Sequence, residues 1–184
     1  MQEQFFCVAG ALRGEPVPFW SMARLPRTYA DLQQILGSTT LTRWAMNGWP
    51  PFLASSIRVR EISPDWRRVR VQLLRRRVTA NYVGTLYGGS LYSMTDPFWM
   101  MMVRHNLPRG WTVWDKAGEI DYISPGRATV GTTFELTEED LAEIHRQIEA
   151  TGKALHWFAN DIVTADGTPV ARVRKQIHVR PPRE

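Results

Sequence analysis

The sequence predicts an α+β fold in which an antiparallel sheet wraps around one long central helix. Three observations predict it. The stretch from Gly88 to Asn106 is apolar on nearly every side, as a helix enclosed by the rest of the chain must be. Short segments of alternating apolar and polar residues stand before and after it, the pattern of strands with one buried face. The sheet they form has an apolar face that needs cover, and the simplest cover is the helix itself, enclosed by the curving sheet.

The 184 residues suffice for one domain with a sizeable core, and 43% hydrophobic with 22% charged residues is ordinary for a globular chain. We divide it into an N-terminal extension over 1–30 and a single domain over 31–184. The net charge of +5 comes almost entirely from arginine. Such a surplus either favours an anionic partner or lines solvated strand faces. The single cysteine, Cys7, excludes an internal disulfide. The apolar run Phe5 to Leu12 is short and lacks a basic leader, which argues against a signal peptide. No run reaches the roughly 18 apolar residues of a membrane span. The expectation is a soluble, cytoplasmic protein.

Taken in order, Asp31 to Asn47 has helical apolar spacing, broken near Gly37 and stopped by Gly48-Trp49-Pro50-Pro51. Ile57 to Ile62 and Val69 to Leu73 alternate around a Ser63-Pro64-Asp65 turn, giving a hairpin with one apolar and one basic face. The central helix follows and stops at Leu107-Pro108-Arg109-Gly110. In the strand Trp114 to Ile123, the residues Trp114, Lys116, Gly118, Ile120 and Tyr122 share one parity. Ser124-Pro125-Gly126 turns the chain into the strand Ala128 to Leu136. Thr137 caps a helix with Glu138, Glu139 and Asp140 in its first turn and Leu141, Ile144 and Ile148 as its stripe. Gly152 ends it. Leu155 to Thr164 and Val170 to Arg180 are strands joined by an Asp166-Gly167 turn.

The chemistry concentrates between Asn81 and Asp96. Asp96 is a lone acid in apolar surroundings, which calls for a partner or a function. Gly88 and Gly89 allow a ligand to approach the backbone where a helix begins, and free amides there carry partial positive charge. Gly89 and Asp96 are about two turns apart, on one face but roughly 10 Å apart along the axis. An acid that far away serves either a site in a second subunit or its own site across an irregular helix start. Pro97 either kinks the helix beside Asp96 or opens a new helix that Asp96 caps.

The run Asn81-x-x-Gly84-Thr85-x-Tyr87-Gly88-Gly89, with Asp96 seven residues after the second glycine, resembles the hotdog-fold thioesterases of the PaaI-like branch. Tyr122-x-x-Pro125-Gly126 is also similar to a strand-turn signature of that group, and Trp114-Asp115-Lys116 looks closer to a poorly characterised branch of it. The resemblance covers roughly 31–180. It implies a hotdog fold, a homodimer or homotetramer, and acyl-CoA or acyl-carrier thioester substrates bound at a subunit interface. It assigns substrate or water orientation to Asn81, carbonyl polarisation to the amide of Gly89, and the role of base or nucleophile to Asp96. The family's His is Tyr87 here, which can donate a hydrogen bond but is no base near neutral pH.

Arg75, Arg76 and Arg77 are candidates for the phosphates of CoA, or form a solvated strand end. Asp115-Lys116 is a local ion pair or a contribution to a neighbouring subunit's site. The histidines have no metal-ligand spacing, so no metal is expected, nor any cofactor. No nucleic-acid motif accompanies the arginines. Two functions follow: an acyl-CoA thioesterase, or a non-catalytic protein that binds acyl-CoA or another acyl ligand.

Overall fold

A computed structural model describes residues 39–182, so the 1–30 extension lies outside the described residues. Helices α1 (Thr39–Gly48) and α2 (Pro50–Ala54) come first, and Pro50 stands at the start of the second. The Asn47 amide donates to the Val59 carbonyl at 3.0 Å and accepts from the Val59 N–H at 2.8 Å. It thereby satisfies backbone groups that an edge strand leaves open.

Strands β1 (Ile57–Ile62) and β2 (Arg68–Leu73) form the expected hairpin. Ile57, Val59, Ile62, Val69, Val71 and Leu73 are buried, while Arg60, Arg68 and Arg70 face out. The central segment is α3 (Gly88–Ser93) and α4 (Phe98–His105). Then come β3 (Thr112–Tyr122), β4 (Val130–Glu135), α5 (Glu138–Thr151), β5 (Ala154–Thr164) and β6 (Pro169–Arg180). The six strands form one antiparallel sheet in the order β1-β2-β4-β5-β6-β3. Helix α5 starts with a reciprocal Thr137–Asp140 capping box and ends at Gly152, as the sequence predicts.

The central helix is interrupted rather than continuous. Pro97 has no N–H to offer the Ser93 carbonyl, and the chain tightens there into three-residue turns. The Thr95 N–H reaches Tyr92 O at 3.0 Å, and the Asp96 N–H reaches Ser93 O at 3.3 Å. The fully buried Thr95 adds its hydroxyl to Tyr92 O at 2.7 Å. The break leaves Asp96 just ahead of α4, but its side chain caps nothing.

Two irregularities of the sheet matter. β4 pairs with β5 only at Val130↔Thr164 and Gly131↔Val163, and the strands part beyond. Trp99 of α4 fills the gap. Its ring stacks on Phe158 at 4.3 Å and meets Phe134 edge-on at 5.3 Å. Its N–H donates to Asn160 Oδ1 at 3.0 Å, and Asn160 donates to the Thr132 hydroxyl at 2.7 Å. A side-chain chain of hydrogen bonds thus bridges the parted strands.

The second irregularity lies in β3. Asp115 faces Ile177 of β6 and Ala117 faces Gln176, so Lys116 is an extra residue. The single parity expected from Trp114 to Tyr122 therefore fails. Trp114 pairs with His178 on the outer face, whereas Gly118, Ile120 and Tyr122 oppose Lys175, Val173 and Ala171 on the inner face. A bulge adds one residue without changing the partner strand's alternation, so it switches phase at that point. Asp115 and Gly118 now share the inner face.

Candidate functional site

Asn81 organises the loop ahead of α3. Its Oδ1 accepts from the N–H groups of Val83 at 3.1 Å and Thr85 at 3.0 Å, and its Nδ2 donates to the Thr85 hydroxyl at 2.9 Å. This is the self-bonded turn that asparagine favours. Arg75 clamps the same loop, donating to Gly84 O at 2.7 Å and Arg76 O at 2.9 Å. Arg76 and Arg77 are exposed beside it.

Tyr87 stands at the N-cap of α3, and its carbonyl accepts from Ser90 and Leu91. The Gly88 and Gly89 N–H groups precede these in the first turn, where a helix leaves its amides open. The half-exposed Tyr87 ring lies on Gly89: a Cβ there would stand 2.8 Å from the Tyr87 hydroxyl. Gly88 is closed in the same way by Tyr122, whose hydroxyl would be 2.9 Å from an added Cβ. A cavity of about 430 Å³ opens here, lined by Thr79, Asn81, Tyr87, Gly89, Ser90 and Ser93 among others. The structure thus brings Asn81, Tyr87 and Gly89 together. Asp96 does not line this cavity.

Asp96 belongs to a second cluster, on the side of the helix that faces β3. Lys175 Nζ donates to Asp96 Oδ1 at 2.9 Å, lies 3.1 Å from Asp115 Oδ2 and sits 5.2 Å from the centre of the Tyr92 ring. The Lys175 side chain is 3% exposed, against 55% for Asp96 and 30% for Asp115. Gly118 makes the arrangement possible. A Cβ on it would collide with the Tyr92 hydroxyl and press on Lys175 Cδ at 3.2 Å.

Burial alone pulls the Lys175 ammonium down, but hydrogen bonds to Asp96 and the charges of both carboxylates outweigh it and hold the pKa above the ordinary lysine value. Asp115 moves the other way from a typical paired acid. Burial pushes it above the ordinary carboxylate value, Lys175 offsets only part of that, and the Asp96 charge adds to it. One ammonium shared by two acids cannot fully compensate both, and Asp96 is the closer partner.

Asp115 pairs with Lys175, then, and not with its neighbour Lys116. Lys175 is the residue that reading the sequence missed. Its signal is faint but real: in Val173-Arg174-Lys175-Gln176-Ile177, the lysine occupies an apolar parity position of β6. Among the described residues no group of three or more His, Cys, Asp or Glu side chains is placed to hold a metal. Among the same residues no helix is long and apolar enough to cross a membrane.

An antiparallel sheet curled around a central helix that starts at a glycine pair is the hotdog fold, and solved structures share it. PA5026 of Pseudomonas aeruginosa, a protein of unknown function described as a probable thioesterase, matches with a TM-score of 0.65 at 18% identity, over 77% of this chain and 95% of its own. A Chlorobaculum tepidum protein of unknown function matches at 0.60 and 15% identity, over 85% and 99%. The Haemophilus influenzae thioesterase HI1161 matches at 0.55 and 14% identity, over 85% and 93%. At these identities the likeness is one of fold. No curated protein sequence matches the chain. The family described as "Domain of unknown function (DUF4442)" matches residues 37–179, and the chain belongs to that family.

Proposed function

We propose that the protein hydrolyses an acyl thioester, with acyl-CoA or an acyl carrier as the thiol. The observation that carries this reading is the convergence of Asn81, Tyr87 and Gly89 on one cavity at the start of the central helix. The description of PA5026 as a probable thioesterase and of HI1161 as a thioesterase supports it, as does the resemblance of the Asn81–Asp96 run. The Gly89 amide polarises the thioester carbonyl, and the Tyr87 hydroxyl is a second donor beside it. Asp96 is base or nucleophile. As base, it takes a proton from water while the water oxygen bonds to the acyl carbon. The C–S bond then breaks, and the leaving thiolate receives that proton.

Because Asp96 does not line the cavity of its own subunit, it serves the cavity of a second copy in a homodimer or homotetramer. β3 lies at the edge of the sheet and is the strand on which such a copy adds. Arg76 and Arg77 bind the phosphates of CoA, a reading supported by their exposure next to the cavity wall at Val78 and Thr79, while Arg75 holds the loop.

A panel of acyl-CoAs tests the reading through release of free thiol. The wild type releases thiol, and Asp96→Asn lowers kcat by about 10²–10⁴-fold, the usual worth of a placed base. Undiminished turnover in that variant removes Asp96 from the chemistry. A second reading, a non-catalytic binder of acyl ligands, is favoured by the engagement of Asn81 within its own turn. It requires acyl-CoA binding by calorimetry with no thiol release above buffer.

A further inference from the structure

Lys175 is the one charged residue on the inner face of β6, flanked in that row by Val173 and Ile177, both fully buried. Holding an ammonium there is unfavourable without partners, and an apolar side chain of similar size commonly does as well for stability as a buried ion pair. Stability alone therefore does not explain the choice of lysine. Geometry suggests what does. Three elements converge on Nζ: Asp96 from the break between α3 and α4, Asp115 from β3 just before the bulge, and the face of Tyr92 from α3. Asp96 is itself half exposed, and among the described residues its carboxylate accepts one side-chain hydrogen bond, at Oδ1 from Lys175.

We propose that Lys175 is a positioning residue for Asp96; this rests on the thioesterase reading above. The lysine anchors Oδ1 from the interior, and Oδ2 is left for the reacting water or acyl carbon on the open side. An acid at a helix break would otherwise rotate freely among hydrated rotamers, and orientation of a reacting group is a large part of its catalytic worth. Asp115 is the counterweight. Its Oδ2 lies 3.1 Å from Nζ, and its charge draws the ammonium from a second side. Gly118 and Tyr92 shape the slot through which the lysine stem passes.

The test is the steady-state kinetics of acyl-CoA hydrolysis by the full-length wild type, Lys175→Met and Lys175→Arg. In Lys175→Met, kcat falls about 10²-fold while KM changes by less than about 3-fold. Lys175→Arg, which keeps the charge, recovers at least about 10-fold of the loss. Should Lys175→Met not fold, the double variant Asp115→Asn/Lys175→Met removes one charge of each sign and carries the same expectations. Unchanged kcat in an uncharged variant, or no recovery in Lys175→Arg, overturns the proposal.

A wild type that hydrolyses neither acyl-CoA nor an acyl-carrier thioester defeats the functional reading instead. The assignment of the Lys175 ammonium to the Asp96–Asp115 cluster is then decided by NMR titration of the Asp115 carboxyl. It titrates at higher pH in Lys175→Met than in wild type, because the offset from the ammonium is gone, and an unmoved titration overturns the assignment.

Discussion

Arg174 and Lys175 are consecutive residues on one strand, and they show what burial does to a charge. Arg174 points outward, pairs with Glu119 across β3 at 3.0 Å and lies 4.8 Å from the Trp157 ring. Both partners are about half exposed, at 48% and 53%. Arg172 repeats the motif with Asp161 at 2.6 Å, and Arg70 with Glu61 at 3.6 Å. Water and salt screen such pairs, and side-chain entropy offsets most of the attraction. Lys175 points inward and has neither water nor spare partners. Arg68, Arg70, Arg172 and Arg174 form this outer set of cross-strand pairs, whereas the charge we propose to bear on the chemistry is one lysine that composition cannot single out.

Four substitutions break or sharpen that contrast. The largest effect is expected from Lys175→Met. Removing one partner of a buried pair typically costs about 3–5 kcal/mol, and hydration of the half-exposed Asp96 brings this to about 2–3 kcal/mol in urea unfolding at neutral pH. Since the folded pKa of Lys175 is raised, its contribution is fully present below the ordinary lysine range. It is lost only as pH rises beyond the ordinary lysine range through the raised folded value, so the deficit should hold across neutral pH and shrink in strong alkali.

Next comes Gly118→Ala, which drives a methyl into Tyr92 and the lysine stem. Overpacking of this kind costs about 1–3 kcal/mol, and the melting temperature should drop accordingly. A smaller effect separates Asp115→Asn from wild type. The raised pKa of Asp115 means the folded state binds its proton more tightly than the unfolded one. Wild-type stability therefore falls as pH rises from the ordinary carboxylate range through the folded value. The variant lacks this slope, and thermal melts across acid to neutral pH should shift the difference in its favour as pH rises. Parallel curves would contradict the assignment. The smallest effect belongs to Arg174→Ala, expected at about 0–1 kcal/mol and reduced by added salt.

How much of this was legible in the sequence differs by region for physical reasons. β2 and β6 alternate cleanly, because each has one face on the core and one in water. The α5 cap at Thr137 and the turn at Asp166-Gly167 use residues whose local chemistry dictates the structure, and local signals survive without tertiary context. Pro97 announced trouble in the central helix, but the sequence left open whether the chain would kink or restart. The answer depends on Thr95 finding Tyr92 O inside the core. The cavity residues Asn81, Tyr87 and Gly89 lie close together along the chain and could be grouped by pattern. Lys175 could not, because it meets Asp96 across 79 residues. Its oddity on an apolar face becomes meaningful only once β6 is known to lie beside β3. The extra residue in β3 was hidden for a related reason: a bulge is a property of two strands together, and either one alone looks regular.

That extra residue has a consequence for anything that docks along β3. Lys116 shifts no partner on the β6 side, where Asp115 and Ala117 face consecutive residues. It lengthens only the outer contour, so the strand turns a corner there. An incoming strand cannot follow the whole edge as one straight template. It lies flat along 117–122 and must leave at Lys116. Any copy of the chain that adds to this edge inherits its registration from that short run, with the corner as its stop.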